Sequence, residues 1–111
     1  MSRARAKGTT WETELVPILA NLFGPQVDRA PLRGVNDRGD FVGVPWLHEA
    51  KSTQVPRFLD WARTAQKKAE NWVILWHGDR RKAEGPYVMM SLELYGKLAR
   101  CWDYHVGPAS D

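Results

Sequence analysis

Trp72-Val73-Ile74-Leu75-Trp76 is an unbroken apolar run of strand length. Successive side chains on a strand point to opposite faces, so a run that is apolar at every position needs cover on both sides. Helical segments are available to supply it. Residues 9 to 23 place Trp11, Leu15, Ile18, Leu19 and Leu22 at helical spacing, and Thr9 with Glu12 matches a capping box. Pro17 falls inside that helix and deletes one backbone donor, which predicts a kink. Pro56 suits the first residue of a second helix, with Phe58, Trp61, Ala62, Ala65 and Ala69 on one face. Ser91 can cap a third, through about Ala99, with Leu92, Tyr95 and Leu98 inward and Glu93 four residues before Lys97. Strands are predicted near residues 26 to 30, 40 to 44, 46 to 51 and 87 to 90, besides 72 to 76. The order is α-β-β-β-α-β-β-α, an α/β layered domain with a mixed central sheet flanked by helices.

With 111 residues the chain holds one domain, over residues 9 to 100, after a basic arm at 1 to 8 and before a tail at 101 to 111. Apolar residues at 43% and charged residues at 26% exclude a disordered composition. No apolar run approaches the roughly 20 residues that span a bilayer, and no apolar stretch follows "MSRARAK" to make a secretory signal. Cys101 is the only cysteine, so a disulfide within the chain is excluded, a cysteine-based zinc site is not expected, and an intracellular setting is. The net charge is +3, and the basic residues cluster: Arg3, Arg5 and Lys7 in the arm, Arg29, Arg33 and Arg38 before the second strand pair, and Arg80, Arg81 and Lys82 in a loop. That pattern is compatible with nucleic-acid binding.

The segment "RGDFVGVPWLHEAKS", residues 38 to 52, carries Asp40, Glu49 and Lys51 where a strand would favour Val or Ile. Alternation puts Glu49 and Lys51 on one face, roughly 7 Å apart. A hairpin folded between Val44 and Pro45 opposes Phe41 to His48 and Asp40 to Glu49, with opposed Cβ atoms about 5 Å apart. Two carboxylates that close repel, and one takes up a proton unless a cation lies between them. Lys51 neutralises part of the charge. A hard divalent cation answers the rest, and Mg²⁺ takes few protein ligands beside water and phosphate. A lysine next to a metal-bound water can orient it or help deprotonate it. The set reads as metal-assisted phosphodiester hydrolysis; the bland alternative is an exposed cross-strand ion pair worth about 1 kcal/mol or less.

These residues resemble the signature of the PD-(D/E)XK nucleases, particularly the small Holliday junction resolvases of the archaeal type and their phage-encoded relatives. "KGTTWE", Lys7 to Glu12, is similar to the family's Lys-Gly-x-x-x-Glu opening; "GDFVGV" to its strand-heading Asp; "HEAKS" to its Glu-x-Lys-Ser; and "TAQKKAE" to its second helix, where Gln66 matches a recurring Gln. Gly39 stands where the family often has Pro. The resemblance covers roughly residues 7 to 76. It implies a restriction-endonuclease-like core, Mg²⁺-dependent cleavage of branched DNA with Mn²⁺ able to substitute, and a homodimer with two active sites. It also implies a place in the cytoplasm of a bacterial or phage-infected cell, and a metal site completed by Glu12.

Several assignments stay open on the residues themselves. Glu12 serves either as the capping-box partner of Thr9 or in the metal site. Gln66 borders the apolar face and is either a surface amide or a neighbour of the site. Asp37 competes with Asp40, but its odd offset would turn it to the other face of an extended segment. His48 alternates away from the site and reads as a packed or surface histidine; His77 and His105 lack zinc spacing. Ser52 either contacts phosphate or only turns the chain. The arm, Arg33 and Arg38 would bind phosphates without reading sequence. Trp46, Trp76 and Trp102 are candidates for a dimer interface. A flap-, nick- or end-processing nuclease and a non-catalytic DNA-binding module remain as alternatives.

Overall fold

The structure is a computed structural model that describes the backbone of residues 3–31 and 39–106 and the side chains of residues 10–31 and 39–102. The fold is built from three helices and five short strands: α1 (Arg3–Phe23), β1 (Asp28–Arg29), β2 (Phe41–Val42), β3 (Leu47–Ser52), α2 (Phe58–Lys68), β4 (Trp72–His77), β5 (Tyr87–Met90) and α3 (Leu92–Val106). A 3-10 turn at Arg80–Lys82 joins β4 to β5. The order agrees with the α-β-β-β-α-β-β-α reading. The main sheet is mixed, with β3 parallel to β4 and β5 antiparallel to it, in the order β3-β4-β5.

β4 is central, and the two-sided cover that its sequence demands is present. Val73 and Leu75 pack into a cluster with Trp11, Leu15 and Leu19 of α1 and Leu94 of α3. Trp72 and Ile74 pack on the other side with Leu47 and Ala65, flanked by Trp61 and Ala62. The α2 face runs as expected. α2 forms the crossover between the parallel strands β3 and β4.

Three expectations are corrected. First, α1 begins at Arg3 and runs through Pro17, so Thr9 lies inside the helix and not at its start. The helix runs through Gly8, which costs it about 1 kcal/mol without ending it, and the Thr-x-x-Glu spacing is there without a helix end. The buried stripe of α1 is Trp11, Leu15 and Leu19, while Ile18 and Leu22 are exposed. Second, α3 continues to Val106, past the expected end and into the predicted tail. Ser91 does cap it, accepting from the Leu94 N–H at 3.2 Å, and that places fully buried Leu94 against the sheet. Leu92, Tyr95 and Leu98 therefore face solvent, and Lys97 reaches Asn71 at 3.3 Å.

Third, residues 40 to 51 do not form a hairpin ladder. β2 pairs antiparallel with β1, with Phe41 opposite Arg29, and β3 pairs only with β4. Gly43, at φ +78°, bends the chain between the two segments. Gln26 holds that bend, donating to the carbonyls of Gly43 at 3.0 Å and Phe23 at 2.6 Å, which also covers the end of α1. Of the tryptophans considered for an interface, Trp76 is buried, Trp46 is half-buried and Trp102 is exposed. Among the described residues no helix is long and apolar enough to cross a membrane.

Candidate active site

The pleat of β3 sorts its side chains. Leu47, Glu49 and Lys51 turn toward α2, and His48, Ala50 and Ser52 toward α1. The contacts agree: Leu47 packs with Ala65 and Ile74, and the Lys51 ammonium lies 5.7 Å from the Trp61 ring centroid. Glu49 is 8% exposed, and its Oε1 accepts from Lys68 Nζ at 2.9 Å. On the opposite face, buried His48 donates from Nδ1 to the Trp46 carbonyl at 2.8 Å. It sits among Phe23 and Trp46, and burial lowers its pKa. It is a packed histidine.

Asp40 meets the free edge of β3 without a strand to carry it. Its N–H donates to the His48 carbonyl at 2.9 Å, and its Oδ2 accepts from the Ala50 N–H at 2.7 Å. The two bonds bracket Glu49, so Asp40 lies opposite Glu49 as the hairpin register predicted, although no ladder puts it there. Gly39 makes the approach possible. Its φ is +97°, and a Cβ would stand 2.6 Å from the His48 carbonyl oxygen. Proline, locked near −65°, cannot occupy that position. The Pro that often precedes this Asp in the resembling family is thus excluded here by backbone geometry.

The electrostatics show which groups share the site. Burial pushes the Asp40 carboxyl up to about 7; the Ala50 N–H opposes that, the charges of Glu49 and Glu12 add to it, and Lys51 offsets part. Glu12 is also raised, by burial first, against Arg29 and with a contribution from Glu49. Arg29 Nε lies 3.9 Å from Glu12 Oε1, and among the described residues it is buried without a hydrogen-bond partner. Glu12, Asp40, Glu49 and Lys51 are therefore electrostatic neighbours, with Lys68 bonded to Glu49 and Arg29 near Glu12 as further cations. Asp40 carries the consequence of its burial, a proton held near neutrality.

Other expected residues lie elsewhere. Gln66 is exposed on α2, and the α2 side chain that reaches Glu49 is Lys68. Ser52 Oγ is 3.0 Å from His77 Nε2. His77 Nδ1 lies 2.9 Å from the Gly78 carbonyl, which can only accept, so Nδ1 carries the hydrogen and Nε2 takes the Ser52 hydroxyl. Asp37, Arg33 and Arg38, and the side chains of Arg3, Arg5, Lys7 and His105, lie outside the described residues.

Lys68 and Arg29 are the site's neighbours that the sequence reading did not single out. Lys68 is two positions from Gln66 in the same motif, but which of them turns toward β3 depends on the crossover. Arg29 is one of several arginines until β1 pairs with β2. Among the described residues, no group of three or more His, Cys, Asp or Glu is arranged to hold a metal ion. Comparison of the chain with models of known protein families, with curated proteins and with solved structures finds no match.

Proposed function

We propose that this chain is a Mg²⁺-dependent, structure-selective DNA endonuclease, in its most specific form a Holliday junction resolvase. The observation that carries the reading is Asp40, which burial first, and the charges of Glu49 and Glu12 after it, leave holding a proton up to about pH 7. A buried carboxyl that retains a proton beside two other carboxylates is one where a hard cation can replace that proton. Asp40 and Glu49 supply the hard oxygens that Mg²⁺ takes in ones and twos, with Glu12 acting through water. Mn²⁺ would suit the same donors. A bound ion would lower the pKa of its water and neutralise charge on a phosphate.

The chain's own residues do the remaining work. Lys51, braced by the Trp61 ring, shares the face of Glu49 and offers an ammonium to orient the attacking water or hold a non-bridging phosphate oxygen. Lys68 fixes the Glu49 carboxylate, so that one oxygen is committed and the other remains for a ligand. Arg29, whose Nε lies 3.9 Å from Glu12 Oε1, offsets part of the Glu12 charge. Two symmetric incisions in a four-way junction would need two such sites, and hence a twofold dimer, with Trp102 the tryptophan exposed to contribute.

A DNA-binding module without turnover is the second reading, and one observation favours it: no three-ligand metal group exists among the described residues. The deciding experiment is cleavage of four-way junction, flap, single-stranded and duplex DNA, with and without Mg²⁺. Cutting of the junction that requires the metal is the expected result. Preference for the flap or nick would move the chain to another nuclease type, and binding of all four without cutting in Mg²⁺ or Mn²⁺ would leave the module.

A further inference from the structure

A second polar site lies on the other face of the sheet, at the carboxyl ends of β3 and β4. A cavity of about 460 Å³ opens there, lined on one side by Trp11 and Glu14 of α1 and on the other by Ser52, His77, Arg80 and Arg81. Crevices beyond the carboxyl ends of parallel strands are where open α/β sheets bind ligands. None of Glu12, Asp40, Glu49, Lys51 or Gln66 lines it. We propose that this cavity binds a phosphate group, with Arg80 and Arg81 as its cationic donors and the Ser52–His77 pair as a polar contact at its wall.

The arginines are poised for exchange. The Arg80 guanidinium lies 5.4 Å from the Trp11 ring centroid, which holds it at the cavity wall, and it pairs with Glu14 through side chains that are 51% and 39% exposed. Arg81 pairs with Asp79 at 3.4 Å, its own side chain 91% exposed. Such exposed pairs are weak. A phosphate offers each guanidinium a denser charge and a two-oxygen face, so it competes well for both.

Ser52 completes the wall. Its Oγ lies 3.0 Å from His77 Nε2, and His77 Nδ1–H is given to the Gly78 carbonyl, so the pair is held at the strand ends. A hydroxyl rotates about its Cβ–Oγ bond, so its hydrogen can turn from Nε2 to a phosphate oxygen. The acidic side chains of the site are Glu14 of α1 and Asp79 of the connection after β4, and a phosphate binds both guanidiniums by displacing them.

The test is calorimetric titration of the full chain with inorganic phosphate, a mononucleotide and a short single-stranded oligonucleotide. Saturable binding is expected. Arg80→Gln should weaken it about tenfold, and Ser52→Ala should weaken it by a smaller factor, about threefold. Thermal melts of both variants establish that they fold, since both side chains lie at the surface of the cavity. Tight binding of the oligonucleotide, competed by inorganic phosphate, assigns the site to a nucleic-acid backbone; binding of the small phosphates alone assigns it to a free phosphate ester. Equal binding by folded Arg80→Gln, or absence of binding in all three titrations, would overturn the proposal.

Discussion

β3 and β4 lie side by side in strict register, from Leu47 opposite Trp72 to Ser52 opposite His77, yet they carry opposite kinds of side chain. β4 is apolar from Trp72 to Trp76 and buried throughout. β3 matches it with Leu47 at one end, then sets Glu49 opposite Ile74 and Lys51 opposite Trp76. The difference follows from position. A central strand has both edges paired and both faces covered, so a charge on it would have neither water nor space. An edge strand has one flank open, and there a charge can meet a second chain segment, a solvent molecule or an ion. One strand therefore builds the core and its neighbour is free to hold reactive groups at the core's border.

The sharpest way to break that contrast is to exchange the consequences. Glu49→Gln or Lys51→Ala should lower junction cleavage by about a thousandfold or more while leaving DNA binding and the melting temperature close to wild type. Ile74→Ala, one strand over, should do the reverse, costing about 2–5 kcal/mol of stability by emptying a site that is 0% exposed. Chemical denaturation and single-turnover cleavage on the same samples would check both. Near-normal cutting by Glu49→Gln would remove that residue from the chemistry.

Asp40 sharpens the contrast further, because its burden is pH-dependent. Its folded-state carboxyl titrates near about 7, above the ordinary 3.8, so the native state holds the proton more tightly than the unfolded chain does. The protonated form costs nothing, and the charged form penalises folding increasingly as pH rises from about 4 through about 7. Asp40→Asn keeps an acceptor for the Ala50 N–H and discards the charge. It should abolish cutting and raise stability at pH 8 by on the order of 1–3 kcal/mol, with little gain near pH 4. Melting curves of wild type and variant across that range would show it, and parallel curves would sink the idea.

The smallest effect is expected at Lys68. Replacing it with Met should cost about 1 kcal/mol in stability, because the Lys68 end of the pair is open enough for water to take its place beside buried Glu49, while moving the pH profile of cleavage toward higher pH. An unchanged profile would mean that Lys68 does not steady Glu49.

The sequence carried the arrangement of elements because it rests on short-range rules, whereas Asp40 reaches β3 beside Glu49 without the hairpin ladder from which that placement is expected. Alternation along a strand and the apolar run at 72 to 76 are local statements. What it did not carry depends on partners far along the chain. The hairpin was a sensible reading of residues 40 to 51, but β2 found β1 across a segment whose length says nothing about pairing, and β3 found β4 through the crossover of α2. Lys68 follows from that crossover, since the phase of α2 over β3 decides which of Gln66 and Lys68 faces Glu49. Leu94, not Leu92 or Tyr95, became the anchor of α3 because the cap at Ser91 sets the rotation of the helix. Thr9 looked like a helix start because the capping spacing is short and common. The close approach allowed by Gly39 could be seen only once its φ was known.

The two hydrogen bonds that Asp40 makes to β3 also guard the sheet. β3 is an edge strand, and unpaired edges are templates onto which another chain can add a strand. Asp40 occupies the His48 carbonyl and the Ala50 N–H, the middle of that edge, with one residue's backbone and one carboxylate. A newcomer strand would meet an edge whose central groups are already bonded. The residue that the chemistry would use is thus also a stopper against self-association, so pressure to keep the protein dispersed and pressure to keep a carboxylate at position 40 pull in the same direction.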